Sequence, residues 1–148
     1  MRFETSKQEA CYEKVEAWMR ELYGKFPHPK QDVPGLSLFM GSAQVDVLVF
    51  PWGETDAIIT TCSSVVTGVE LTPDLMQFLL RENYNMRFGA FAVDEQGDIV
   101  FEHTIVGSTC DQPELKASVN AVLKIADDYD DKIVERWGGK RALDRFNQ

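Results

Sequence analysis

At 148 residues, 44% of them hydrophobic and 26% charged, the chain has the size and balance of one soluble globular domain spanning residues 1–148. A formal net charge of −9 opposes contact with the phosphates of nucleic acids and of anionic membranes, so neither is an expected partner. Acidity of this degree keeps a protein soluble and favours neutral or basic partners.

From Ser6 to about Tyr23 the apolar residues Cys11, Val15, Trp18, Met19 and Leu22 fall on one helical stripe, with Glu13, Lys14, Glu16 and Arg20 outside it. Gly24 is a natural stop. Lys25 to Pro34 contains Pro27, Pro29 and Pro34, which cannot continue a helix and read as an extended connector. Three β-rich pieces follow: Leu36 to Met40, Gln44 to Trp52, and Ala57 to roughly Val69. Gly41-Ser42-Ala43 and Gly53-Glu54-Thr55-Asp56 supply the turns, which makes this an antiparallel meander. Thr72-Pro73-Asp74 then opens a second helix, with Thr72 as cap and proline at the first position. It carries Leu75, Phe78 and Leu79 and ends near Glu82 to Asn85.

The stretch RFGAFAVDEQGDIVFEHTIVG, Arg87 to Gly107, holds two apolar runs around an acidic turn. Counted by twos, Ile99, Phe101, His103 and Ile105 share one face, and Val100, Glu102, Thr104 and Val106 share the other. A calcium loop of the EF-hand kind needs about a dozen residues between helices. Asp94-Glu95-Gln96-Gly97-Asp98 is five residues between strands, with a glycine where left-handed backbone is useful, so it reads as a hairpin turn. A last helix starts at the capping box of Asp111 and Glu114, with Pro113 in the first turn. Leu115, Val119, Val122, Leu123, Ala126, Ile133, Val134 and Trp137 form its stripe. Gly138-Gly139 ends it, ahead of a short basic tail with Lys140, Arg141 and Arg145. The order α-β-β-β-α-β-β-α predicts an α+β fold: an antiparallel sheet of about five strands with helices packed on one face.

Cys11, Cys62 and Cys110 are too widely spaced for a CxxC metal site, and their odd number is no disulfide framework. They fit a reducing compartment. The polar stretch Met1 to Ala10 does not read as a signal peptide, and no apolar run approaches the ~18 residues of a membrane span, so a cytoplasmic location is expected.

Chemistry-bearing constellations are few. His103 has no partner nearby in sequence and reads as a structural histidine; the only other histidine, His28, lies in the proline connector. No serine or cysteine has the neighbouring base that nucleophilic catalysis requires. Asp127, Asp130 and Asp131 share a helical face but are joined by no histidine, and read as a solvated acidic face offset by Lys124 and Lys132. Neither Gly41-Ser42-Ala43 nor Gly138-Gly139 has the form of a phosphate loop. No catalytic residue, metal site or cofactor is therefore expected. In QVDVLVFPWG, Val45, Val47 and Val49 form one face, while Leu48, Phe50 and Trp52 form the other behind Asp46. Helices docked on the valine side would leave Leu48, Phe50 and Trp52 as a protein-binding or dimer surface; loops or the second helix covering them is the alternative.

The segment LLRENYNMRFGAFAVDEQGDIVFEHTIVG, together with the element order, resembles the fold shared by type III secretion chaperones and YbjN-like domains. The matching residues are Leu79, Leu80, Asn83, Gly89, Phe91, Val93, Asp94, Gly97, Ile99 and Val100. The resemblance implies a small acidic cytoplasmic protein, usually a homodimer without catalytic residues, that holds a protein or peptide segment against apolar patches in a chaperone-like or regulatory role. The long last helix and the basic tail depart from the pattern. The competing reading is a small ligand-binding protein or enzyme that uses His103 with a carboxylate such as Glu102 or Asp98.

Overall fold

Three capped helices frame a single antiparallel sheet. The computed structural model describes residues 1–147, with side chains through Asp144; Arg145 of the basic tail lies outside the described side chains. Helix α1 (Ser6–Tyr23) begins where the Thr5 hydroxyl accepts the Gln8 amide, 3.0 Å away, and ends at Gly24, whose φ of 65° suits glycine. Its stripe of Cys11, Tyr12, Val15 and Met19 is buried. Strands β1 (His28–Pro29), β2 (Gly35–Met40), β3 (Ala43–Trp52) and β4 (Asp56–Thr67) follow as a meander. Helix α2 (Pro73–Asn85) starts on the Thr72 cap with proline in its first turn. Strands β5 (Ala90–Val93) and β6 (Ile99–Val106) form the hairpin. Helix α3 (Gln112–Trp137) begins at the reciprocal capping box of Asp111 and Glu114, and a short strand β7 (Lys140–Arg141) leads to a 3-10 turn, Ala142–Asn147.

The helix α3 runs unbroken for 26 residues, about 39 Å at 1.5 Å per residue. The sheet order is β1-β2-β3-β4-β6-β5, with β7 paired to the far end of β4. It has seven strands where about five were expected. The two additions are dipeptides. His28–Pro29 pairs with Leu36 and Ser37 because a proline-rich connector is already extended. Lys140–Arg141 pairs with Val66 and Thr67 because Gly138 and Gly139, with φ of 85° and 82°, turn the chain back. A Cβ on Gly139 would lie 2.8 Å from the Thr67 carbonyl oxygen, so no larger residue fits this return.

Period-two burial decides which side is inside. Val45, Val47 and Val49 of β3 are fully buried, and so are Ile59 of β4 and Ile99 and Phe101 of β6. Val15 and Met19 of α1 and Leu115, Val119 and Val122 of α3 complete this core. Helix α2 instead packs beside β5 and against α3, where the Phe78 ring meets Tyr129 and Trp137 with centroids 6.3 and 5.0 Å away. Strand β4, expected from sequence over Ala57 to roughly Val69, ends at Thr67, and a register shift between Ser64 and Val66 lets Val65 and Val66 both be buried.

The acidic hairpin turn uses its carboxylates internally. Asp94 Oδ1 accepts the amides of Gln96 and Asp98 at 3.0 and 2.9 Å, and Asp98 Oδ1 accepts the Gly68 amide at 3.1 Å. Gly97 sits at φ 81° in the turn.

Candidate functional site

The outer face of the sheet, opposite α1 and α3, carries Leu48, Phe50 and Trp52. Leu48 is half-buried, Phe50 is 39% exposed and Trp52 is 62% exposed. Strand register places their neighbours in rows across the sheet. Phe50 aligns with Ile58 and Val106; Leu48 aligns with Thr60 and Thr104, whose hydroxyls lie 2.9 Å apart. Asp46 aligns with Cys62 and Glu102. The face is thus apolar at the Trp52 end, hydroxylic in the middle and acidic at the other end. Pro51 is tolerated because β2 ends its pairing at Leu48. Beyond that point the Pro34 carbonyl accepts the Val49 amide, and the buried Gln8 amide donates to the Val49 carbonyl, each at 2.9 Å.

Within the acidic row, Asp46 is fully engaged. It pairs with Lys30 at 3.1 Å and accepts from Ser37 at 2.6 Å and Gln44 at 3.1 Å. Burial, then the charges of Asp46 and Glu102, push the Cys62 thiol up to about 12, with Lys30 opposing. Cys11 and Cys110 are buried, and burial raises both thiols as well, Cys110 to about 11. At the other end, Asp56 accepts from the Ser108 hydroxyl at 2.6 Å and from the Ala57 amide at 2.7 Å, which holds its carboxyl below the ordinary value.

Strand β6 also offers main-chain groups. Its partner β5 reaches only as far as Ala90, opposite Glu102. The Gly107 amide donates to the Ala57 carbonyl at 2.7 Å, so Ile105 and His103 are the residues bonded to β4. By alternation, the amides and carbonyls of Thr104 and Val106 point away from β4, past the end of β5. The chain leaves the sheet at Gly89, where φ is 76° and a Cβ would stand 2.5 Å from the Glu102 carbonyl oxygen.

His103 lies on the inner face, half-buried under α3. Its Nδ1 is 2.9 Å from the Ser118 hydroxyl, which donates to Thr61 Oγ1 at 3.2 Å, and its ring meets the edge of Phe88 at 5.4 Å. Burial lowers its pKa, against the opposing charge of Glu114. Glu102, its strand neighbour, faces the opposite side of the sheet, and Asp98 is committed to Gly68. The structure brings neither carboxylate to His103. Among the described residues, no group of three or more histidines, cysteines or carboxylates could hold a metal ion. Asp127 and Asp130 face the β2–β3 turn, where both meet the Ser42 hydroxyl.

A second apolar patch was missed from sequence. Met76, Leu80 and Tyr84 of α2 are exposed, Leu80 by 69% and Tyr84 by 91%. Their spacing of four residues was a visible signal: the helix carries a second stripe beside Leu75, Phe78 and Leu79.

The profile of a family described as T3SS (YopN, CesT) and YbjN peptide-binding chaperone 1, TY-Chap1, matches residues 9–145. The chain belongs to this family. Solved structures share the TY-Chap1 chain's fold at low identity. The HopA1-SchA chaperone-effector complex contains a chain 10% identical, with a TM-score of 0.63 over 82% of this chain and 94% of that one. A chain of the ExsC-ExsE complex is 18% identical, with a TM-score of 0.57 over 80% and 92%. A chain from the complex of the Yersinia pestis type III secretion chaperone SycH with a YscM2 fragment is 13% identical, with a TM-score of 0.53 over 78% and 96%. No curated protein sequence matches the TY-Chap1 chain. No helix among its described residues is long and apolar enough to cross a membrane.

Proposed function

We propose that this protein is a non-enzymatic peptide-binding chaperone or regulator, in which the outer sheet face receives an extended segment of a partner protein. The observation that carries this reading is the apolar row of Phe50, Ile58 and Val106, flanked by Leu48 and Trp52 and opposite the face on which α1 and α3 dock. Exposed contiguous apolar area of this kind concentrates at interfaces. The open main-chain groups of Thr104 and Val106 suit the same occupant, since an extended peptide satisfies a strand edge residue by residue. Membership of a peptide-binding chaperone family supports the assignment.

The protein acts as a homodimer in this reading. The exposed Met76, Leu80 and Tyr84 stripe on α2 supports this, since one apolar patch can pack on its own copy about a two-fold axis and leave the sheet face to the partner. Three unpaired thiols favour the cytoplasm. His103 serves the core, not chemistry. Affinity capture with crosslinking tests the assignment: Leu48, Phe50, Trp52 and Thr104 should mark the contact with one held protein. Crosslinks confined to α3 would place the partner elsewhere and end this reading.

A further inference from the structure

We infer that the segment received by the outer face is basic as well as apolar, and that Glu102 selects for its positive charge. The inference rests on the peptide-binding reading and names the chemistry of the peptide. The strand positions that face outward on β2, β3, β4, β5 and β6 include three carboxylates, Asp46, Asp56 and Glu102, and no lysine or arginine. Two of the three already have partners inside the protein: Asp46 with Lys30, Ser37 and Gln44, and Asp56 with Ser108 and Ala57. Glu102 is exposed, and its carboxylate has no hydrogen-bond or ion-pair partner among the described residues. An acidic segment would meet this carboxylate and a chain of net charge −9; a basic one is attracted by both.

Register turns the charge into a spacing. Val106, Thr104 and Glu102 project from the same face of β6, so the apolar row and the carboxylate are four residues apart, about 13 Å along the strand. An extended segment laid over the outer face along β6, where Ala90 of β5 already fills the place beside Glu102, therefore sets an aliphatic side chain on Val106 and Ile58 when its residue four positions along reaches Glu102. The position between them meets the Thr60 and Thr104 hydroxyls. Trp52, largely exposed, offers an indole face to a second cation at the other end.

The test uses three synthetic nonapeptides of alternating valine and threonine, identical except that the residue four positions from one valine is lysine, glutamine or glutamate. Their binding to the whole protein is followed by fluorescence anisotropy at low and high salt. The lysine peptide should bind about threefold to fivefold more tightly than the glutamine peptide, the scale of one exposed ion pair, and the glutamate peptide more weakly than both. Glu102→Gln, a change at an exposed side chain without partners among the described residues, should remove the difference between lysine and glutamine. High salt should shrink the difference in the same way. Equal binding of all three peptides, still weakened by Phe50→Ser, overturns the charge inference and leaves the peptide-binding reading intact. A lysine preference that survives Glu102→Gln overturns the role of Glu102. Binding of none of the three overturns both.

Discussion

Asn83 stands beside Phe91 in the place of a neighbouring strand. Its Oδ1 accepts the Phe91 amide at 2.6 Å, and its Nδ2 donates to the Phe91 carbonyl at 3.2 Å. One carboxamide from α2 thus satisfies both main-chain groups of Phe91 on an edge strand that is four residues long. Bare edges invite pairing with other chains, and this one is closed at Phe91. The adjoining stretch of β6, Thr104 to Val106, has no such guard among the described residues. The same side of the sheet is therefore sealed at one level and open at the next.

Replacing Asn83 by leucine should destabilise the fold by about 1–3 kcal/mol, since Phe91 is buried and its amide and carbonyl would lose their partners. Asn83→Asp retains an acceptor for the amide but loses the donor to the carbonyl, and should fall between the two. Urea melts give the free energies, and light scattering should show self-association of the leucine variant through the bared edge.

The two faces of β3 should respond oppositely to the same chemistry. Phe50→Ser and Trp52→Ser should leave the thermal midpoint nearly unchanged and weaken partner binding, because both side chains are exposed. Val47→Ser, on the buried face, should cost about 2–4 kcal/mol through a cavity and a buried hydroxyl. Circular dichroism melts beside sizing runs separate the two. Unfolding by Phe50→Ser alone would mean that the outer face is core.

His103 should make stability pH-dependent in a definite direction. Burial lowers its folded pKa below the ordinary 6.5, so the unfolded chain binds the proton more readily. Its contribution is fully present above pH ~6.5 and is lost as pH falls through the lower folded value. Melts between pH 5 and 8 should show this decline, and His103→Gln should flatten it while lowering stability at pH 8 by about 1–2 kcal/mol through the altered bond to Ser118.

Self-association should depend on α2. Light scattering at micromolar concentration should report about twice the 16.8 kDa chain mass. Leu80→Glu should reduce it to the monomer with the fold retained by circular dichroism, and should remove the concentration dependence of the melt, as Leu80 is 69% exposed. A wild-type protein that is monomeric at every concentration would remove the dimer.

Cys62 should resist alkylation at pH 8, because burial and the flanking charges of Asp46 and Glu102 hold its thiol near 12. Labelling rates followed by mass spectrometry should rise in Glu102→Gln and rise further in denaturant.

Much of this molecule is local and therefore legible in the order of its residues. The capping box of Asp111 and Glu114, the Thr72-Pro73 start and the stops at Gly24 and Gly138 are interactions between residues a few positions apart, so the helix limits follow from sequence. Strand alternation similarly separated Val45, Val47 and Val49 from Leu48, Phe50 and Trp52 before any fold was known, because period two is a property of the extended backbone. Which of those two faces would be covered was a matter of where α1, α2 and α3 dock, and that depends on packing between residues far apart in the chain. The same holds for the carboxylate row of Asp46 and Glu102, assembled by register across three strands, and for His103, whose partner Ser118 arrives on another element. The two dipeptide strands escaped notice because two residues carry no periodicity; only the neighbouring strand makes them strands. Sequence determined the elements and their two-sidedness, and the tertiary structure decided which side was left uncovered, since burial is settled by long-range packing that no local pattern encodes.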